Sequence, residues 1–138
     1  MSPRPQMLRH PFAELIGLRL ESAVNGSSVT ALDVHEALLN PHGVLHGAVM
    51  YALADTGMGA AVYSLLGEGE SCATIEIKLV HLAPLANGRL SCTTEILHRG
   101  RRAVILESEL RCEGALVAKA LGTYSVLGGG TAPAVTGA

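Results

Sequence analysis

Tryptophan is absent from this chain, phenylalanine occurs once and tyrosine three times. Such a chain has little with which to stack on a nucleobase or frame a flat aromatic ligand. Charge is scarce as well: only 16% of residues are charged, and the formal net charge is −2. No basic excess argues for nucleic acid or an anionic membrane as partner. Hydrophobic residues make up 49% of 138 positions, more than a small monomer with so few charges is expected to cover. The expectation is a homo-oligomer, with apolar surface shared between subunits. Cysteine is sparse and odd in number. Cys72, Cys92 and Cys112 lack C-x-x-C spacing, and read as small buried hydrophobes in separate strands of a reduced, cytoplasmic protein. The first residues, MSPRPQMLRHPF, contain no apolar signal core.

One long apolar run is present. Residues 47–66 read GAVMYALADTGMGAAVYSLL, with Asp55 as their single charge. An Asp in mid-membrane costs about 2.5–3.5 kcal/mol on insertion scales. Gly57, Gly59, Ala60 and Ala61 dilute the hydrophobicity further, and no basic cluster flanks the run. The run therefore predicts a buried helix, capped at Gly67-Glu68-Gly69. A buried carboxylate is usually neutralised, paired or kept for a task. His46-Gly47, just before the run, offers a helix start with free N–H groups. An acid inside an apolar helix and an anion-friendly helix start are the two halves of an acyl-transfer site.

The remainder reads as strands. Residues 16–24 alternate apolar and polar side chains, Asn25-Gly26 is a hairpin turn, and 27–34 return. Residues 35–45 are irregular, broken by Asn40-Pro41 and Gly43. Strands follow at 73–82, 89–98, 102–113 and 115–127. In the first of these, Thr74, Glu76 and Lys78 share one face, and Ala73, Ile75, Ile77 and Leu79 share the other. In 102–113, Val104, Leu106, Leu110 and Cys112 point inward and Glu107, Glu109, Arg111 and Glu113 outward. Short turns require antiparallel pairing. The fold class is α+β: about six strands in a curved antiparallel sheet wrapped around one long apolar helix. The organisation expected is an N-terminal segment (1–14), one domain (15–127) and a flexible tail (128–138).

Asn40, His46-Gly47-Ala48, Ala54-Asp55-Thr56 and TIEIKLVHLAP (74–84) together resemble the hotdog-fold acyl-CoA thioesterases, in particular the phenylacetate-pathway and 4-hydroxybenzoyl-CoA thioesterase branch. The resemblance runs from Leu15 to Leu127. It departs from the family at Ala48, where His-Gly-Gly is common, and at Gly59, where some members carry Thr or Ser. Asp55 matches the aspartate-bearing members.

The resemblance implies roles for particular residues. Taken alone, Asp55 reads equally as a catalytic group or as an acid paired to fix the helix; the resemblance makes it general base or nucleophile. Gly47 becomes the oxyanion donor, where an ordinary helix entry is the plainer reading. Asn40 donates its amide to substrate or water, or else serves as a turn residue before proline. His46 orients the thioester, and Thr74 holds a water or acyl oxygen beside Asp55, though strand packing explains it nearly as well. Arg99, Arg101 and Arg102, in the one basic cluster, stand on a turn expected at the sheet edge, where a long ligand can exit, and suit the phosphates of coenzyme A; a solvated hairpin tip is the alternative. His42 and His46 are four apart, but Pro41 and Gly43 break any helix, so no metal site and no cofactor is expected. Asp55 lies eight residues beyond Gly47, about 12 Å along a helix. Both reach one carbonyl only across two antiparallel helices, which points to a dimer with composite sites, and the family adds a dimer of dimers. The rival readings are a non-catalytic acyl-CoA binding protein and a hydratase or dehydratase of the same fold.

Overall fold

Three tight turns and one apolar segment organise the chain. The computed structural model describes residues 9–128. The expected tail therefore lies, beyond Gly128, outside the described residues, as do the first eight. The elements run α1 (Pro11–Ile16), β1 (Arg19–Val24), β2 (Ser27–Asp33), a 3-10 turn (Glu36–Leu38), α2 (Gly47–Tyr63), β3 (Ser71–His81), β4 (Arg89–Arg99), β5 (Ala103–Cys112) and β6 (Ala115–Leu127). The six strands form one antiparallel sheet in the order β1-β2-β4-β5-β6-β3. The sheet curves around α2, which touches every strand. Among the described residues no helix is long and apolar enough to cross a membrane.

Asn25 and Gly26 both take positive φ, the conformation a two-residue hairpin turn requires, and Glu113-Gly114 repeats the device. The inner face of the sheet and one side of α2 make the core, with Leu32, Leu53, Met58, Leu90, Leu106 and Leu110 fully enclosed. On β5, Val104, Leu106 and Leu110 face inward as the alternation requires; Cys112, at the strand end, is only half-buried. Of the three cysteines, each on its own strand, Cys92 alone is buried.

Four local features differ from the sequence pattern. A short helix, α1, precedes β1 where 16–18 read as strand. Pro11 stands in its first turn, the His10 ring accepts from the Ala13 N–H, and Gly17 at φ 79° closes it. It straddles the expected boundary at Leu15 and buries Ala13 and Ile16 in the core. Helix α2 ends at Tyr63, short of Gly67, because the Ser64 hydroxyl bonds back to Ala61 O and accepts from the Gly26 N–H. On β3 a bulge at Ile75 breaks the alternation: Thr74 pairs with Tyr124, and Glu76 with Thr123. Ile75 is thereby turned outward, 58% exposed, while Thr74 and Ile77 both face the helix. The fourth is the Arg99–Arg102 turn. It joins the third and fourth strands of six, so it projects from the strand ends and not from the sheet edge.

Gly122 on β6 lets the sheet approach α2 beside Asp55. A Cβ there would overlap the Met58 thioether, which is fully enclosed. Gly122→Ala is expected to cost about 1–3 kcal/mol through overpacking. Urea denaturation checks this. The double variant with Met58→Ala should cost less than the sum of the two single changes.

Candidate active site

At its start, α2 leaves one backbone donor open. His46 is the N-cap, and its Nδ1 accepts from the Ala48 N–H at 3.0 Å. An accepting Nδ1 places the ring proton of the neutral imidazole on Nε2. The His46 carbonyl accepts from the Val49 N–H. Among the described residues the Gly47 N–H has no hydrogen-bond partner, at the end of the helix where the dipole favours negative charge. The His81 ring lies against Gly47, where a Cβ would stand 2.8 Å from its Cε1. Glycine here makes room for that ring.

Two turns further along α2 stands Asp55. It is half-buried, not enclosed as the apolar run suggested, because a cavity opens between this side of the helix and strands β3 and β6. Its Oδ1 accepts from the Thr74 hydroxyl at 2.8 Å and from the Tyr124 phenol, which also bonds the Asp55 backbone carbonyl at 2.8 Å. No hydrogen bond among the described residues reaches Oδ2. One carboxylate oxygen is held and the other is open. The bulge at Ile75 makes this possible by turning Thr74 toward the helix. Burial, and then the Asp55 carboxylate beside it, push the Tyr124 phenol well above its ordinary range, so it remains a donor.

Tyr124 is the residue of this cavity that pattern reading overlooks. Its signal is a lone phenol on the inward face of β6, two residues after a glycine. A buried phenol needs a hydrogen-bond partner. Nothing in the sequence says that this partner is an acid 69 residues away.

The cavity holding Asp55 measures about 300 Å³ and follows one stripe of α2, Asp55, Gly59 and Tyr63, with Leu20 and His10 on one flank and Cys72 and Thr74 on the other. Gly47 lies in a separate cavity of about 400 Å³ with Leu45, Met50, His81 and Leu82. The two cavities share no lining residue. Within one chain, the acid and the free N–H are therefore apart.

Of the other candidates, Asn40 uses its side-chain carbonyl as a turn acceptor for the His42 and Val44 N–H groups, at 2.9 and 3.4 Å. The turn reading thus holds for the oxygen, and the amide nitrogen remains a donor. His42 and His35 are exposed, and His35 bonds the Asp33 carbonyl. No three His, Cys, Asp or Glu side chains converge among the described residues. Arg99, Arg101 and Arg102 are exposed, form no ion pair among the described residues and line neither cavity. Their turn nevertheless lies at the Asp55 end of the sheet. Val104 pairs with Tyr124, and the Arg102 carbonyl accepts from Val126.

With this geometry in view, similarity to known proteins is informative. Residues 42–119 match the sequence model of the thioesterase superfamily. The chain is 30% identical over 100 residues to the 1,4-dihydroxy-2-naphthoyl-CoA hydrolase of Listeria monocytogenes, covering 72% of this chain and 81% of that one. It is 26% identical over 99 residues to the acyl-coenzyme A thioesterase PaaI of Escherichia coli, covering 71% and 69%. Among solved structures, a conserved protein of Pseudomonas aeruginosa superposes with a TM-score of 0.84 at 35% identity, over 91% of this chain and 100% of that one.

Cys72 shares the Asp55 cavity but is not poised as a nucleophile. Burial pushes its thiol up to about 11, and nearby Asp55 adds to the rise. Thiolate is the reactive form, so reactivity should stay low until the pH approaches that value. Iodoacetamide at pH 9, followed by peptide mass mapping, should label Cys72 roughly fiftyfold more slowly in the folded protein than in urea, as a thiol of pKa about 11 against one near 9 requires.

Proposed function

Because the chain belongs to the thioesterase superfamily, we propose that it hydrolyses the thioester of an acyl- or aryl-CoA to the free acid and coenzyme A. One observation carries the reading. Asp55 stands in a cavity with Oδ1 held by Thr74 and Tyr124 and Oδ2 open, on the helix whose start leaves the Gly47 N–H free.

In this mechanism Oδ2 of Asp55 takes a proton from a water that adds to the thioester carbonyl, or attacks that carbon itself. The carbonyl oxygen gains the charge and lies against the Gly47 N–H, where a fixed donor at a helix start stabilises it. When water attacks, collapse of the tetrahedral adduct expels the coenzyme A thiolate, which takes up the proton held by Asp55. When Asp55 itself attacks, expulsion of the thiolate leaves an acyl-aspartyl anhydride, which a water molecule then cleaves to the free acid and the regenerated carboxylate. Thr74 and Tyr124 hold Asp55 in one orientation, so no reorganisation is needed as charge moves. Asn40, with its oxygen engaged in the turn, offers its amide to substrate or water, and His46 offers Nε2–H.

The composite arrangement is part of the proposal. Eight residues separate Gly47 from Asp55, about 12 Å along the helix, and each lines its own cavity. Two helices running in opposite directions across a two-fold axis bring Asp55 of one protomer to Gly47 of the partner subunit. The surface suits such pairing. β3 is an eleven-residue edge strand, and Ile75, Val80 and Leu82 along and just beyond it are about half exposed. A dimer of such dimers and a cytoplasmic setting complete the reading.

Asp55→Asn keeps the shape of the side chain and an acceptor oxygen for Thr74 and Tyr124 but cannot act as base or nucleophile. The kcat for acyl-CoA hydrolysis, followed as free thiol, should fall by about 10²–10⁴-fold with the fold intact. Near-normal turnover would remove Asp55 from the mechanism. Mixing this variant with Asn40→Ala under subunit exchange should restore part of the activity, because one hybrid site keeps both native groups. No recovery despite proven exchange would place a complete site in each chain.

Arg99, Arg101 and Arg102 are proposed to bind the phosphates of coenzyme A. Arg101→Ala together with Arg102→Ala should raise KM by roughly tenfold, about 1.4 kcal/mol, and flatten its salt dependence. The kcat should change less, since remote contacts chiefly bind the ground state. Hydrolysis of an N-acetylcysteamine thioester, which lacks those phosphates, should hardly respond. Equal loss on both substrates would assign the turn a role in the fold instead.

A further inference from the structure

Helix α2 is apolar around nearly its whole circumference. Val49, Leu53, Met58 and Val62 are buried, and the exposed side still carries Tyr51. Hydrophobic burial is non-directional. It encloses such a helix without deciding which residues face the sheet. Hydrogen bonds from the sheet supply the direction. Tyr124 reaches the Asp55 carbonyl on the cavity side, and two fully buried bonds act on the opposite side. The Ser28 hydroxyl donates to Gly57 O at 2.5 Å, and the Thr30 hydroxyl to Leu53 O at 3.0 Å; the two residues are 2% and 0% exposed.

The spacing of these bonds matches the two elements. Strand residues two apart lie roughly 6.6 Å from each other, and helix carbonyls four apart about 6 Å. Consecutive inward hydroxyls of β2 therefore meet consecutive turns of α2. Asp55 lies midway between the two accepting residues, two positions from each and about 200° round the helix. Fastening Leu53 and Gly57 to the sheet presents Asp55 on the far side, toward Thr74, Tyr124 and the cavity.

Gly57 completes the contact. A Cβ there would stand 3.0 Å from the Thr94 hydroxyl and 3.2 Å from that of Ser28. Ser28, Thr94 and Ser108 form one row across three strands, and Thr94 and Ser108 bond each other at 2.7 Å. Four buried hydroxyl residues thus gather under one glycine of the helix, all of them satisfied.

We propose that Ser28 and Thr30 are positioning residues for the reacting acid: their hydroxyls set the rotation and axial register of α2, and thereby the place of Asp55. This rests on the reading of Asp55 as the group that attacks or activates water. A misplacement of about 1 Å at such a group costs up to about a hundredfold in rate.

The test is the double variant Ser28→Ala/Thr30→Val, with Thr30→Ser as the form that keeps a hydroxyl. Leu53 and Gly57 retain their helical hydrogen bonds in all of them, so the helix itself is not undone. With no tryptophan and three tyrosines, near-UV circular dichroism is dominated by tyrosine. It reports Tyr51 and Tyr63 on α2, and Tyr124 against Asp55. In the double variant the far-UV spectrum should persist and the near-UV spectrum change. The kcat for an acyl-CoA should fall by about ten- to a hundredfold, with KM within about twofold. Thr30→Ser should keep the native values. Should the double variant fail to fold, Thr30→Val against Thr30→Ser decides the matter in the same way. Unchanged near-UV signal and kcat in the hydroxyl-free variants would overturn the proposal. So would an equal loss in Thr30→Ser, which would trace the effect to packing. If the wild type hydrolyses no acyl-CoA, the thioesterase reading fails. The near-UV comparison then still decides the positioning role alone.

Discussion

A helix that is apolar on nearly every side can be buried but not aimed by burial. The central constraint in this molecule is how α2 lies in the curve of its sheet. Hydrophobic contact with all six strands encloses it. Polar contacts on two opposite sides decide its rotation. Sheet hydroxyls reach the carbonyls of Leu53 and Gly57 on one side, and Thr74 and Tyr124 reach Asp55 on the other. The hydroxyls on both sides are paired, as buried polar groups must be. The requirement that polar groups be satisfied is what turns a non-directional core into a defined site.

Several irregularities serve that arrangement. The Ile75 bulge lets Thr74 face the helix while Ile77 still joins the core. Gly57 and Gly122 remove the side chains that would hold the sheet away from α2 at Thr94 and at Met58. Ile75 adjoins Thr74, Gly57 stands two residues from Asp55, and Gly122 two residues from Tyr124. Bulges next to sites commonly re-aim a side chain in this way.

The start and the middle of α2 carry different chemistry. Its start offers a free N–H at Gly47, and its middle offers a carboxylate with one open oxygen. A straight helix separates these by its rise per residue, and no side-chain rearrangement shortens that distance. On the composite reading, assembly is therefore not an addition to a finished enzyme but a condition for having a complete site. The sparse charge of the chain and the exposed apolar residues on β3 are consistent with that dependence.

Much of this was legible along the chain. The Asn25-Gly26 turn, the antiparallel strands, the single apolar helix and its one acid follow from local rules, because turn chemistry, periodicity and hydrophobicity act between near neighbours. The helical distance between Gly47 and Asp55 was legible for the same reason. The short helix at Pro11–Ile16 was overlooked although its proline and glycine caps were in plain view, since the alternation beginning near Ile16 masked them. The bulge at Ile75, the exposure of Asp55 at a cavity wall and the phenol of Tyr124 on its carboxylate were decided only by the tertiary structure. Each depends on which residues of distant strands come opposite one another. Pairing register is set by the packing of the whole sheet against α2, and no local pattern in the sequence encodes it.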